Sequence, residues 1–280
     1  MQITIIGVGL IGGSMALKLK QQNIISKVIG IDFNENHLSE ALEKGIIDEA
    51  LSLEEGIKNS ELIIIAIPVD AARKILPNIL DLIGENQTVM DVGSTKSGIC
   101  TAVENHPKRN QYVAFHPMWG TENSGPTAAI ADSFSERAAV ICDKEKSNSK
   151  SLKLVESISK ALGMHTLYMS SRDHDIHSAY ISHISHITSY ALANTVLEKE
   201  KEEETIFQLA SSGFSSTVRL AKSHPEMWVP IFKQNKENVL DVLNEHISQL
   251  RKFKSALEKE NFDYLEELIL NANRIRGILK

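Results

Sequence analysis

Two hydrophobic periods divide this chain. Up to about residue 170, short apolar runs rich in isoleucine and valine alternate with stretches whose apolar positions recur at helical spacing; beyond it only the helical spacing continues. The runs at residues 3–6, 27–31, 61–67, 88–91, 112–115, 138–142 and 165–169 read as strands. Residues 61–67 are apolar almost without a break, as in a parallel strand covered on both faces, and Pro68 ends the run. The stretch after residue 10 and residues 34–44, 71–83 and 152–162 read as helices, the second of them closing at Gly45, a natural C-cap. Strands alternating with helices pair in parallel through right-handed crossovers, which predicts a doubly wound sheet over residues 1–170. From 171 to 280 the pattern predicts helices at about 172–197, 205–211, 216–221, 225–258 and 263–279, with the charged run 198–204 as a solvated turn. The apolar stripes of 239–257 and 265–279 need more partner surface than one small helical domain supplies, so a homodimer through intertwined helical domains is expected.

The first strand breaks into glycines and resumes as a helix, in the stretch GVGLIGGS at residues 7–14. Each glycine has its own task in a dinucleotide-binding turn. Gly7 permits the turn, Gly9 lets backbone N–H groups approach a diphosphate, and Gly12 lets the helix lie close on the strand. Leu10 and Ile11 open that helix, whose N-terminus offers free N–H groups and a positive dipole end to phosphate. Alone this spacing is a weak signal, but its strand-turn-helix context is right, and a second strand ends in Asp32 about twenty residues past Gly12. A carboxylate there accepts from ribose hydroxyls and repels an added phosphate, while Phe33 and Asn34 supply no cation, so NAD is expected rather than NADP. The competing role for Asp32, a cap for the next helix, meets a start at residues 34–36 that already looks capped. Leu10, Ile11 and Pro68 join Gly7, Gly9, Gly12 and Asp32 as the expected cofactor-binding set. The first half is thus expected to be a Rossmann-type doubly wound parallel sheet.

Composition narrows the partners. With 42% hydrophobic residues in 280, the chain can bury one large core or two moderate ones, and two domains, 1–170 and 171–280, fit the change of pattern. A net charge of −6 with no local basic cluster argues against nucleic acid, so an anionic substrate needs cations of its own. Cys100 and Cys142 have no metal-binding spacing and read as reduced core thiols of a cytoplasmic protein. The first strand begins at residue 2, leaving no expected room for a leader, and no apolar run is long enough to cross a bilayer.

In an open parallel sheet, ligands sit beyond the carboxyl ends of the strands, and two such ends carry reactive groups. One runs into Gly93-Ser94-Thr95-Lys96, the other onto His116. A neutral imidazole there can take a hydroxyl proton while hydride leaves the same carbon, and Ser94 can hydrogen-bond that hydroxyl or the imidazole. The alternative is a His116 that merely satisfies loop carbonyls. The helix from 172 carries His174, His177, His183 and His186; on a straight helix the last two lie opposite the first two, so no metal is expected. Ser182 and His186 share a face and can meet a polar substrate together, although a surface or core role is open for any one helical histidine. Arg219, among apolar neighbours, either pairs with an acid or grips an anionic ligand through its guanidinium fork. Trp228 reads as core or interface.

Taken in order, GVGLIGGS (7–14), DVGSTK (91–96), HPMWGTENSG (116–125), residues 173–186 with SHISH (182–186), and FSSTVRLAKSHPEMW (214–228) resemble the prephenate and arogenate dehydrogenase family of tyrosine biosynthesis over nearly the whole chain. The resemblance implies an NAD-binding domain followed by an all-helical dimerisation domain, with the active site between them. It implies that His116 is the catalytic histidine with Ser94 as its partner, that His186 and Ser182 meet the substrate side chain, that Arg219 grips a carboxylate, and that Glu122 stands near the entrance. Prephenate or arogenate would be the substrate. Two rivals are a 3-hydroxyacid-type dehydrogenase, which normally uses a lysine on a second-domain helix, and a noncatalytic NAD sensor, which leaves His116, Ser94 and Arg219 without a joint purpose.

Overall fold

A computed structural model describes residues 1–201, 203 and 205–278. Its first half alternates strands and helices, adding β3, α3 and α5 to the elements that the sequence pattern predicts: β1 (Gln2–Ile6), α1 (Leu10–Gln21), β2 (Lys27–Ile31), α2 (Glu35–Glu43), β3 (Glu49–Ala50), α3 (Leu53–Lys58), β4 (Leu62–Ile65), α4 (Val69–Leu82), β5 (Thr88–Asp91), α5 (Ser97–Ala102), β6 (Tyr112–Pro117), β7 (Ala138–Cys142), α6 (Ser149–Ala161) and β8 (His165–Met169). The strands form one sheet in the order β3-β2-β1-β4-β5-β6-β7-β8. Period-two alternation sends Ile64, Met90, Val113 and Phe115 to one apolar layer and Ile63, Ile65, Val89, Tyr112 and Ala114 to the other. Both faces are covered, which is why β4 is buried from end to end. By the same parity His116 follows Tyr112 and Ala114 onto the face where α4 and α5 pack.

The sheet departs from an all-parallel expectation at one seam. β6 and β7 pair antiparallel, with His116 opposite Val140, while β7 and β8 are parallel to each other. A parallel return needs a crossover of a dozen or more residues, usually a helix, and residues 118–137 hold only short 3-10 turns, so β7 comes back beside β6 in the opposite sense. The loop lies instead along α1, where the Ile130 N–H donates to Ser14 Oγ at 2.8 Å and Lys18 pairs with Asp132.

The second half is helical: α7 (Ser171–Ser178), α8 (Ile184–Glu200), α9 (Ser212–Thr217), α10 (Pro225–Gln234), α11 (Lys236–Glu258) and α12 (Phe262–Asn273). Four expected helices change here. The helix expected over 172–197 contains a π turn at Ala179–His183, and that extra residue rotates the rest of the helix by roughly 100°. The histidines therefore do not divide two and two: His174, His183 and His186 are buried and only His177 is exposed. The helix expected over 225–258 breaks at Asn235, whose Nδ2 donates to the Asp175 carbonyl at 2.7 Å. Helices expected at 205–211 and 216–221 shorten to a 3-10 turn (Ile206–Leu209), α9 and a second 3-10 turn (Arg219–Lys222). α8 enters the expected charged turn as far as Glu200, and Glu202, Glu204 and the end of the last expected helix lie outside the described residues. Among the described residues, no helix is long and apolar enough to cross a membrane.

The glycine turn sets up a contrast. A Cβ on Gly12 would lie 2.2 Å from the Gly7 carbonyl oxygen, whereas a Cβ on Gly9 would meet nothing nearer than the Gly125 nitrogen at 4.0 Å. Gly12→Ala is therefore expected to cost about 1–3 kcal/mol of stability, measured by chemical denaturation. Gly9→Ala should leave the unfolding midpoint unchanged and weaken NAD binding, read by calorimetric titration.

Candidate active site

The cofactor end is built from backbone. Gly7 holds a φ of 95°, a left-handed conformation that an L side chain resists, and a Cβ there would also strike the Ala66 carbonyl at 2.5 Å. The chain thus turns from β1 into α1 with Gly9 at the N-cap and no side chain capping the free N–H groups. Leu10 and Ile11 form the half-buried first turn of α1, and Pro68 stands exposed at the N-cap of α4. Asp32 accepts from the Val8 N–H at 3.1 Å and the Asn34 N–H at 3.0 Å, so its carboxylate fixes the turn and keeps a second lone pair on each oxygen. Asn34, not Asp32, caps α2. Open space at Gly9, uncapped N–H groups and a fixed carboxylate fit a dinucleotide diphosphate and ribose.

His116 lies near the end of β6, partly exposed. Its Nδ1 is 2.8 Å from His174 Nε2, and His174 Nδ1 is 2.9 Å from Asp175 Oδ1. The Asp175 carboxylate also accepts the Lys96 N–H at 2.7 Å and the Ser97 N–H at 2.8 Å, capping α5 from another element. Beneath this row lies a buried ion pair. Lys96, with no exposed surface, reaches Asp91 Oδ2 at 2.5 Å, and Asp91 also accepts from Tyr112 Oη at 2.6 Å and the Gly93 N–H at 2.9 Å. Burial, then the neighbouring His174 and Lys96, hold His116 well below the usual imidazole range. Burial also lowers His174 against the pull of Asp175, and burial lowers His183 to about 4. Burial alone would raise Asp175, but the bonds from His174 and the two backbone N–H groups outweigh it and hold the carboxyl low. The row thus disfavours a charged imidazole and stands over a buried ion pair.

From His116 the polar lining continues into the helical half. His183 interacts electrostatically with both His116 and His186. His186 stacks on Trp228 with ring centroids 3.4 Å apart, and its Nδ1 is 3.0 Å from the Ser182 carbonyl. Burial, helped by the nearby Arg219 charge, places the His186 ring below its ordinary range against the opposing pull of the Ser182 carbonyl. Arg219 Nη1 donates to Glu122 Oε2 at 3.0 Å, and the arginine is about half exposed. A hydrogen bond from its own backbone N–H, with the Arg219 guanidinium, keeps the Glu122 carboxyl low. Ser182 is half-buried on the same helical face as His186.

His116 and His186 are thus linked through the helical run that carries His174, and Arg219 bonds to Glu122 within electrostatic reach of His186. Ser94 is half-buried after β5 and has no side-chain hydrogen-bond partner among the described residues; the partner of His116 Nδ1 is His174. Sequence reasoning named His174 only as one of four helical histidines and missed Asp175 and the Lys96–Asp91 pair. In the sequence Lys96 sits among small polar residues and Asp175 in the polar run 171–178, so neither signalled its burial, whereas Asp91 closes the apolar run 88–90. Among the described residues, no group of three or more His, Cys, Asp or Glu could hold a metal ion.

A nucleotide-binding sheet that presents one neutral imidazole at a strand end, facing a helical half with histidine and arginine, defines a two-part dehydrogenase. Comparison with known proteins agrees. Residues 15–168 match the family "Prephenate dehydrogenase, nucleotide-binding domain" and residues 170–271 match "Prephenate dehydrogenase, dimerization domain". The chain is 32% identical to the prephenate dehydrogenase of Bacillus subtilis (strain 168), over 94% of this chain and 72% of that protein. It is 26% identical to the cyclohexadienyl dehydrogenase of Zymomonas mobilis, over 99% and 96%. The solved structure of Aquifex aeolicus prephenate dehydrogenase with hydroxyphenyl propionate and NAD+ superposes with a TM-score of 0.91 at 30% identity, over 100% of this chain and 98% of that one. The chain belongs to the prephenate dehydrogenase family, and NAD is its cofactor.

The buried pair gives a direct test. Replacing Lys96 by methionine leaves the Asp91 charge uncompensated and should lower the unfolding free energy by about 3–5 kcal/mol, measured by urea denaturation.

Proposed function

We propose that the chain carries out oxidative decarboxylation of prephenate to 4-hydroxyphenylpyruvate with NAD, its cofactor half ending near residue 170 and its substrate half coming after. One observation carries this reading: His116, at a strand end and held toward its neutral form by burial, bonds to His174 on the helical run that continues to His186, whose ring feels the Arg219 charge. Prephenate carries a ring carboxylate and, on the opposite ring carbon, a hydroxyl. His116 accepts the hydroxyl proton as hydride leaves that carbon, and NAD, when bound, takes the hydride. The ketone so formed draws the electrons of the breaking carbon–carboxylate bond through the ring, carbon dioxide leaves, and His116 returns its proton to the new phenol oxygen. Charge balances, with one hydride and one carbon dioxide lost per ring. Arg219 meets a substrate carboxylate in exchange for Glu122, His186 and Ser182 meet the side chain, and Ser94 hydrogen-bonds the ring hydroxyl; positioning and charge supply the catalysis.

Arogenate is the second reading, and the geometry at His186 favours it. The Ser182 carbonyl takes the Nδ1–H, so a neutral His186 offers a bare Nε2, an acceptor suited to the ammonium of arogenate rather than to the keto oxygen of prephenate. Nicotinamide reduction measured with both compounds, with the aromatic product identified, decides between them. Silence with both, from folded protein that binds NAD, would refute the reaction. His116→Asn should lower kcat about 10²–10⁴-fold and leave NAD binding intact. The base works only when neutral, and its folded pKa lies well below 6.5. The kcat/KM should therefore stay level as pH falls through 6.5 and drop only in more acid solution; an acid limb centred near 6.5 would contradict the assignment.

The helical half is proposed to form a homodimer. No residue of α12 is buried, and Leu250, Leu257, Phe262, Ile269 and Leu270 on α11 and α12 are exposed. Such a surface asks for an apolar partner. Sedimentation at micromolar concentration should give twice the 31.1 kDa chain mass, and a monomer would overturn the proposal.

A further inference from the structure

Two imidazoles and a carboxylate stand in line behind the proposed base. A carboxylate only accepts, so every group bonded to Asp175 donates: the Lys96 N–H, the Ser97 N–H and therefore His174 Nδ1–H. A neutral His174 with its proton on Nδ1 has a bare Nε2. The atom 2.8 Å from that Nε2 is His116 Nδ1, which must then carry the proton. Ser178 Oγ, at 3.4 Å from the same Nε2, is a more distant second donor. We propose that His174 and Asp175 are positioning residues that fix the His116 proton on Nδ1 and so present Nε2 as the acceptor for the substrate hydroxyl.

Two features make the pair an orienting device rather than a proton wire. His174 and Asp175 are 1% and 2% exposed, and the row ends on a carboxylate held low, which has no proton of its own to pass on. Its far end is tied to the backbone at the start of α5, which fixes the carboxylate while Asn235 holds the Asp175 carbonyl. The two rings meet edge to face, with centroids 5.0 Å apart and planes at 70°, so His116 cannot turn without breaking the bond. When His116 takes the substrate proton on Nε2, its Nδ1–H stays with His174, and the same proton is returned from Nε2 to the phenol oxygen. The tautomer is thus the same before and after turnover. With Nδ1 engaged by His174, Ser94 is left to meet the substrate hydroxyl.

This inference rests on the dehydrogenase reading, and its test separates the two. The full chain, labelled with 15N-histidine and saturated with NAD, is studied by NMR alongside steady-state kinetics, with the His116 signals assigned by their loss in His116→Asn. The wild-type ring should carry its proton on Nδ1. In Asp175→Leu the acceptor for His174 Nδ1 is gone, His174 is free to carry its proton on Nε2 and donate to His116 Nδ1, and the His116 proton should move to Nε2. The kcat should then fall about 10²–10⁴-fold, with KM for NAD unchanged. Where that variant does not fold, His174→Gln and His174→Leu carry the test. The glutamine carbonyl can accept from His116 Nδ1 and should keep both tautomer and most of the turnover, whereas leucine should lose both. A wild-type His116 protonated on Nε2, or His174→Leu with wild-type tautomer and kcat, would overturn the proposal. A wild-type chain silent toward both substrates would instead sink the reaction, while the NMR arm still decides the tautomer.

Discussion

The Asp175 carboxylate is the contact on which the rest of the site depends. It comes from the first helix after the sheet, yet its bonds go to the backbone at the start of α5, inside the sheet domain. One charged group thereby caps a helix that lacks a cap of its own, ties the helical half to the loop carrying Ser94, and fixes the His174 ring. Charge-assisted bonds from two backbone N–H groups and one imidazole compensate a carboxylate that is almost wholly buried. The helical half is thus positioned by the same atoms that orient the proposed base.

A second charge system works by staying out of the reaction. Lys96 and Asp91 are buried as a pair, supported by Tyr112 and Gly93, and burial followed by the Asp91 charge pushes the Tyr112 hydroxyl well above its usual range. A buried pair of this kind is not a strong source of stability, because desolvation cancels much of the attraction. Its effect is electrostatic and local. Burial does most to disfavour a positive charge on His116 and His174, and the ammonium of Lys96 nearby adds to it. Near the entrance, the half-exposed Arg219–Glu122 pair is screened by water and costs little to open, which suits a guanidinium that exchanges its partner for a substrate carboxylate.

The sequence by itself determined the sheet and the cofactor end, because both rest on local rules. Apolar runs of period two set the strands, glycines 7 and 12 set a turn that no side chain fits, and Asp32 falls at the end of β2 by simple counting. Cys100 and Cys142 were legible as core thiols for the same reason, and both are buried. His116, His186 and Arg219 were legible as residue types placed at strand ends or among apolar neighbours, and the last was already seen as a choice between an acid and an anion. Ser182 was legible as the helical neighbour of His186, and Glu122 came with the family motifs.

Only the tertiary structure decided how these residues meet. The antiparallel turn of β7 follows from a loop too short in helix to cross over, which a strand-by-strand reading does not weigh. The π turn at Ala179–His183 and the break at Asn235 answer to packing between α7, α8 and α11, and a straight-helix count of the histidines misplaces them. Asp175 and Lys96 looked like ordinary charges in sequence. The backbone partners of Asp175 lie 79 and 78 residues away, across the join of the two halves, and a hydrogen bond at that separation is specified by the folded geometry and by nothing periodic in the chain.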